Sequence, residues 1–165
     1  MPSPGQTFER PITCPPQTVD AGWVDYNGHL NMAYYSVVFD RAVDHVYDRL
    51  GIGAEYTASG AGSCFTLEVH VTYLQELLGG DPLRVTLQLI DRDAKRLHFF
   101  QHLYHGEQGY LAATSEQMAM HVDMHTRRSA PFPDAAMARI DALMAAHADL
   151  PRPEQAGHVI AIPRR

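Results

Sequence analysis

The chain has 165 residues, 45% hydrophobic and 19% charged, with a formal net charge of −6. This length suits one domain with a real core, and the composition leaves little room for disorder except at the ends. The acidic balance argues against a nucleic-acid partner, which needs a basic face, and no apolar run approaches membrane-spanning length.

Met1–Gly5 carries no charged and apolar leader, and residues 1–6 are expected to be loose. Thr7–Thr13 reads as a first strand that Pro11 pushes toward an edge and Pro15-Pro16 ends. In Met32–Leu50 the residues Met32, Tyr35, Ser36, Phe39, Val43, Val46 and Leu50 recur at three- and four-residue spacing, which predicts a long amphipathic helix stopped by Gly51. The small-residue run Ala58–Ser63 lacks the lysine of a phosphate-binding loop and reads as a turn.

From Cys64 the period changes to two. Cys64–Tyr73 sets Phe65, Leu67, Val69, Val71 and Tyr73 on one face and Thr66, Glu68, His70 and Thr72 on the other. Leu83–Asp91, Leu97–His105 and Tyr110–Asp123 follow as hairpin-connected strands, with Glu116 on the Thr114, Met118 and Met120 face of the last. Asp134 is placed to cap a second helix, Ala135–His147, with a stripe of Met137, Ile140 and Met144. The expected organisation is an α+β domain over residues 1–149, an antiparallel sheet wrapped around one central helix with an extra C-terminal helix, and then a tail over 150–165. That tail, with Val159-Ile160-Ala161-Ile162 as its apolar part, either lies along the domain or hangs free.

Chemistry concentrates in Trp23–Asn31, which sets Asp25, Asn27 and His29 at alternate positions just before the long helix. A helix start offers N–H groups without partners and the positive end of the dipole, so it can hold a carbonyl oxygen that gains negative charge, with Asp25 upstream as base or nucleophile. The alternative is that Asp25 and Asn27 only make an Asx turn and that Asn31 only caps the helix. Two cysteines, Cys14 and Cys64, give no disulfide framework and no metal-binding pair, which fits a reducing cytoplasm. A buried apolar role suits Cys64 better than that of a nucleophile. His98, His102 and His105 lack an acidic ligand at metal-binding spacing, so no metal is expected.

The run Asp25-x-Asn27-Gly28-His29-x-Asn31, the helix with Tyr34 and Tyr35, and the β-rich remainder resemble the hotdog-fold acyl-CoA thioesterases of the 4-hydroxybenzoyl-CoA thioesterase type, over roughly Thr7 to Pro133. The Asp-x-Asn-x-His order is also similar to that of plant acyl-carrier-protein thioesterases, whose further acid on the next strand is matched by Glu68. The resemblance implies the hotdog fold, an acyl-CoA substrate, hydrolysis without metal or cofactor, and a homodimer or dimer of dimers with sites at the subunit boundary. It implies Asp25 as the catalytic carboxylate, Asn27 and His29 positioning substrate or water, Glu68 as second acid or base, and the backbone near Asn31 as the oxyanion site. Many relatives carry two asparagines where this loop has the single Asn31. An acyl-CoA binding or sensing protein is the alternative, and a hotdog dehydratase ranks below both.

CoA phosphates are expected on Arg92, Lys95 and Arg96 or on Arg127 and Arg128, because an acidic protein needs a local basic patch for a polyanion. Segments including Val24–Leu30, Thr66–Glu68 and Asp93–His98 further resemble the thioesterase domains of bacterial carnitine catabolism. That likeness implies betainyl-CoA, a short acyl group ending in trimethylammonium. Trp23, Tyr26, Tyr34, Tyr35 and Phe65 lie near the loop in sequence and suit such a cation, or else serve as core and dimer contacts.

Overall fold

The computed structural model describes residues 7–164; the expectation for residues 1–6 falls outside this range. Two short strands, β1 (Ile12–Thr13) and β2 (Gln17–Thr18), and a 3₁₀ turn at Ala21–Trp23 precede α1 (Met32–Leu50). Then come α2 (Ala54–Ala58), β3 (Gly62–Tyr73), β4 (Pro82–Arg92), β5 (Arg96–His105), β6 (Leu111–Asp123), β7 (Arg128–Ser129) and α3 (Asp134–His147). The antiparallel sheet runs β1-β4-β5-β6-β3, with β2 also on β4 and β7 on β6. No helix among the described residues is long and apolar enough to cross a membrane.

The sheet wraps α1, the hotdog arrangement that the resemblance implied. Tyr35, Val38, Phe39, Ala42, Val43, Val46 and Leu50 are the buried side of α1 and share one core with Leu83, Val85, Leu87 and Leu89 of β4 and Leu97, Phe99 and Leu103 of β5. Met32 and Ser36, placed in the stripe by spacing alone, are exposed. Gly51 ends α1 at φ 76°, a left-handed conformation that glycine adopts without a Cβ penalty. A buried polar chain ties helix to sheet: Gln101 Nε2 donates to the Phe39 carbonyl at 3.0 Å, and Gln101 Oε1 accepts from Gln117 Nε2 at 3.0 Å.

Three expectations change. The first strand shrinks to Ile12–Thr13, α2 appears just ahead of the expected Ala58–Ser63 turn, sharing only Ala58 with it, and α3 begins at Asp134 with no side-chain cap. The carboxylate of Asp134 sits inside the first turn, where it meets the positive dipole end. The buried side of α3 is Ala136, Ile140, Leu143 and His147 rather than a methionine stripe, because α3 packs on β4 and near α1.

The larger correction concerns β3. Thr66 pairs with Ala119 and Glu68 with Met118, so Leu67 is an extra residue in a bulge. Paired residues in an antiparallel ladder share a face, so Val69, Val71 and Tyr73 face α1 together with Thr66 and Cys64. Phe65 joins Glu68, His70 and Thr72 on the outer face.

His147 locks α3 to β4. Its Nδ1 accepts the Leu89 N–H at 2.9 Å and its Nε2 lies 2.9 Å from the Glu9 carbonyl, so both ring nitrogens are used by the neutral form. Burial lowers its pKa, as it does for His102. The unfolded chain therefore takes up protons first once pH falls below about 6.5, and stability present above that value is lost as pH falls through the lower folded pKa. Urea unfolding should show weaker stability at pH 5.5 than at pH 7.5, with a shallower pH slope in His147→Gln.

Candidate active site at the start of the long helix

The loop Trp23–Asn31 is a closed hairpin. Val24 and Leu30 form a bridge, the Asp25 N–H donates to the His29 carbonyl at 3.0 Å, and the Gly28 N–H donates to the Asp25 carbonyl at 3.0 Å. Gly28 takes φ 82°, which the tight reversal requires. The Leu30 N–H donates to the Leu77 carbonyl at 2.7 Å, which moors the loop to the segment after β3.

The Asx turn and the helix cap are both present. Asp25 Oδ1 accepts the Asn27 N–H at 2.8 Å, a true Asx turn, and Asn31 Oδ1 caps α1 through the Ala33 N–H at 3.0 Å. The turn uses one carboxylate oxygen and leaves Oδ2 with no hydrogen-bond partner among the described residues. The Tyr34 N–H goes to the Asn31 carbonyl, so Met32 holds the first-turn N–H without a partner among them.

Asp25, His29 and Met32 line one open cleft of about 370 Å³ with Tyr35, Tyr73 and Glu76. His29 Nε2 lies 2.9 Å from Glu76 Oε2. The Tyr73 hydroxyl donates to the Met32 carbonyl at 3.0 Å, and the Tyr35 and Tyr73 rings meet edge to face at 5.0 Å. Burial pushes the Tyr35 phenol up to about 12 and raises that of Tyr73, so both remain O–H donors. Sequence reasoning missed Glu76 and Tyr73. Tyr73 was visible as a strand residue, whereas Glu76 lies in a turn whose approach to His29 depends on tertiary closure.

Glu68 is not brought to Asp25. It stands on the outer face, where it lines a separate cavity of about 360 Å³ with His70, His98, Glu116 and His158. There His98 Nε2 sits 2.8 Å from Glu116 Oε1, and the Gly157 N–H donates to Glu116 Oε2 at 2.7 Å. Burial raises the Glu116 pKa, yet the Gly157 N–H and His98 outweigh it and leave the carboxyl below its usual value.

The predicted aromatics do not form one cage. Trp23 stacks on Tyr34 at 5.6 Å, and the Arg41 guanidinium lies 4.9 Å from the Trp23 ring, so the chain's own cation occupies that face. Tyr26 stands in solvent at the loop tip, only Tyr35 lines the cleft, and Phe65 lies near the far end of β3. Among the basic candidates, Arg92 pairs with Asp141 at 2.5 Å and Arg96 with Asp93 at 2.5 Å. Arg127 lies 5.7 Å from the Phe65 ring, Arg128 is exposed, and the Lys95 carbonyl accepts the His121 N–H at 2.7 Å. All five sit at the end of the sheet opposite Asp25.

The chain belongs to the thioesterase-like superfamily, whose family model matches residues 19–140. It is an acyl-CoA thioesterase of the hotdog fold. It is 41% identical over 157 residues to the betainyl-CoA thioesterase of Pseudomonas aeruginosa, covering 95% of this chain and 94% of the other. A Rhizobium meliloti protein, L-carnitine dehydrogenase/betainyl-CoA thioesterase, is 36% identical, and the match spans 94% of this chain but 32% of that longer one. A Staphylococcus aureus protein solved in complex with CoA superposes with a TM-score of 0.87 at 38% identity, over 96% of this chain and 99% of that one. A putative thioesterase from Pseudomonas putida gives 0.81 at 35% identity, over 93% and 98%.

The cysteines stand apart from this chemistry. Burial pushes the thiols of Cys14 and Cys64 each up to about 12, so the thiolate at pH 7.5 is about a thousandfold scarcer than for an ordinary thiol. Iodoacetamide should label the folded protein far more slowly than the urea-unfolded one, with activity preserved through the treatment; rapid inactivation would implicate a thiol.

Proposed function

We propose that this thioesterase hydrolyses betainyl-CoA at the cleft beside Asp25, with Asp25 as the catalytic carboxylate. The observation that carries the reading is the Asx turn, which fixes one Asp25 oxygen and leaves the other free in a cleft that also holds the start of α1. A nucleophile adds to the thioester carbonyl carbon, the developing oxyanion takes the Met32 N–H, and the C–S bond then breaks. In the base route Asp25 removes the water proton and returns it to the departing CoA sulfur. In the nucleophilic route Asp25 itself adds to the carbon, and water then cleaves the mixed anhydride. Rapid quench during a single turnover separates them, since an acyl group covalently bound to Asp25 marks the anhydride.

His29, oriented by Glu76, is placed to position water or the thioester, and this assigns the supporting carboxylate to Glu76 instead of Glu68. Asn27 shapes the turn through its N–H. Asp25→Asn should lower kcat by about a hundredfold or more with little change in Tm. Glu76→Gln should lower kcat/KM about tenfold while Glu68→Gln stays within about twofold; the reverse ranking would return the role to Glu68.

For the acyl group, two carboxylates and the Tyr35 and Tyr73 rings in one cleft suit a trimethylammonium better than a long alkyl chain. The similarity to proteins named for betainyl-CoA supports the same substrate. The kcat/KM for betainyl-CoA should exceed that for butyryl-CoA and benzoyl-CoA by at least tenfold, and equal values would leave a thioesterase of another acyl specificity.

The working unit is a homodimer joined through β3. Among the described residues this strand ends the sheet with one edge unpaired, and Phe65, Leu67, Val69 and Tyr73 along it are 38–51% exposed. Two copies meeting antiparallel at β3 bring the Phe65 and Arg127 end of one beside the Tyr73 and Asp25 end of the other. Arg127 and Arg128 of the second copy then stand near the site that their own chain cannot reach, and they receive the CoA phosphates. The two unpaired cysteines fit the cytoplasm as its location. Light scattering at micromolar protein tests the dimer. Arg127→Ala with Arg128→Ala should raise KM for the CoA ester several-fold and leave kcat unchanged.

A further inference from the structure

The chain after α3 follows a defined course over the outer face of the sheet. Gln88 Nε2 on β4 donates to the Pro151 carbonyl at 3.2 Å, the Gly157 N–H reaches Glu116 on β6 at 2.7 Å, and the His158 ring lies 5.7 Å from that of His70 on β3. Gln88 pairs with Phe100 and His70 with Glu116, so these anchors share the outer face and step through the sheet in the order β4, β6, β3. Along this path Pro153 is buried, and Phe100, on the face away from α1, is only 1% exposed.

After His158 the pattern reverses. Val159, Ile160 and Ile162 are 77%, 84% and 83% exposed, three large aliphatic side chains in water at the end of a segment anchored up to that point. The last anchor is on β3, beyond which the described residues form no strand, so the direction of travel takes the segment over that edge. Residues 159–164 extended reach about 20 Å, roughly four strand spacings of about 4.8 Å.

We infer that Val159–Ile162 crosses the β3 edge and docks on the outer face of a second copy of this chain, whose own tail crosses in return. The inference rests on the β3-joined dimer proposed above and adds a reciprocal strap to it. A sheet continuous across two β3 strands presents the same outer face on both sides. That face offers Phe65 of β3 with the half-buried Met120, its register partner on β6, and the half-buried Met118, which pairs with Glu68. A second copy is the occupant favoured by the geometry because the segment is aimed at the one place where that copy's sheet begins, and symmetry uses both tails at once.

Photo-cross-linking from Ile162→p-benzoylphenylalanine tests this in dimers reassembled from ¹⁵N-labelled and unlabelled chains. The expected products join heavy and light peptides, with the captured peptide from β3 or β6. A chain ending at His158 keeps the three anchors and should dissociate at a concentration at least tenfold higher. If the protein is a dimer but no cross-link joins the two isotopes, the strap is overturned and the edge pairing stands. If the full chain is a monomer, the edge pairing itself fails.

Discussion

The 2.7 Å bond from the Leu30 N–H to the Leu77 carbonyl is the constraint on which the reactive end of this molecule depends. A hairpin of five residues has too little apolar surface to hold its own shape, and its two closing bonds would fray in isolation. The mooring fixes the hairpin to the chain leaving β3, and the 2.9 Å bond from the Asn31 N–H to the Trp23 carbonyl then sets where α1 begins. Downstream, Gln101 grips the Phe39 carbonyl in the middle of α1, so the helix cannot slide along the sheet without orphaning a buried amide. The carboxylate, the free first-turn N–H and the rings of Tyr35 and Tyr73 are thus placed by the sheet and the helix together.

This explains which parts were legible beforehand. The core of α1 was readable because a helix repeats every 3.6 residues whatever it packs against, and Gly51 marks its end by its own chemistry. The bulge at Leu67 was not, since an apolar residue stands there at the very position that strict alternation asks for; only β6, in pairing Thr66 with Ala119 and Glu68 with Met118, reveals the extra residue. That single insertion moves Phe65 to the outer face. Glu68 keeps the face that alternation gives it, opposite Val69 and Val71, and so matches the family order yet lines the opposite side of the sheet from α1. Glu76 carried no pattern, because a residue in a turn is assigned its neighbours by the way the turn closes.

The aromatic reading failed at Trp23 for a different reason. Trp23, Tyr34 and Arg41 sit on one flank of α1, with Arg41 seven residues after Tyr34 and so two turns along the same side. A guanidinium that reaches an aromatic face from its own helix needs no ligand to satisfy that face. Proximity in sequence therefore counted as cage what the helix had already filled, and Tyr35, one residue on and turned inward, is the ring left for the cleft.

The outer face poses the remaining physical problem. A single sheet curled round one helix buries one side only, yet the other side here carries Phe100 as well as His98, Glu116, Glu68 and His70. A charged face would be stable bare, but Phe100 would not, and the tail resolves this by laying Pro153 and its neighbours across β4 to β6 while its Gly157 N–H satisfies Glu116. Polar contacts hold the strap while apolar burial gives it a reason to bind. The same logic extends past His158, where Val159, Ile160 and Ile162 stand exposed: a segment that covers one sheet as far as its edge has its next apolar surface on whatever sheet continues there.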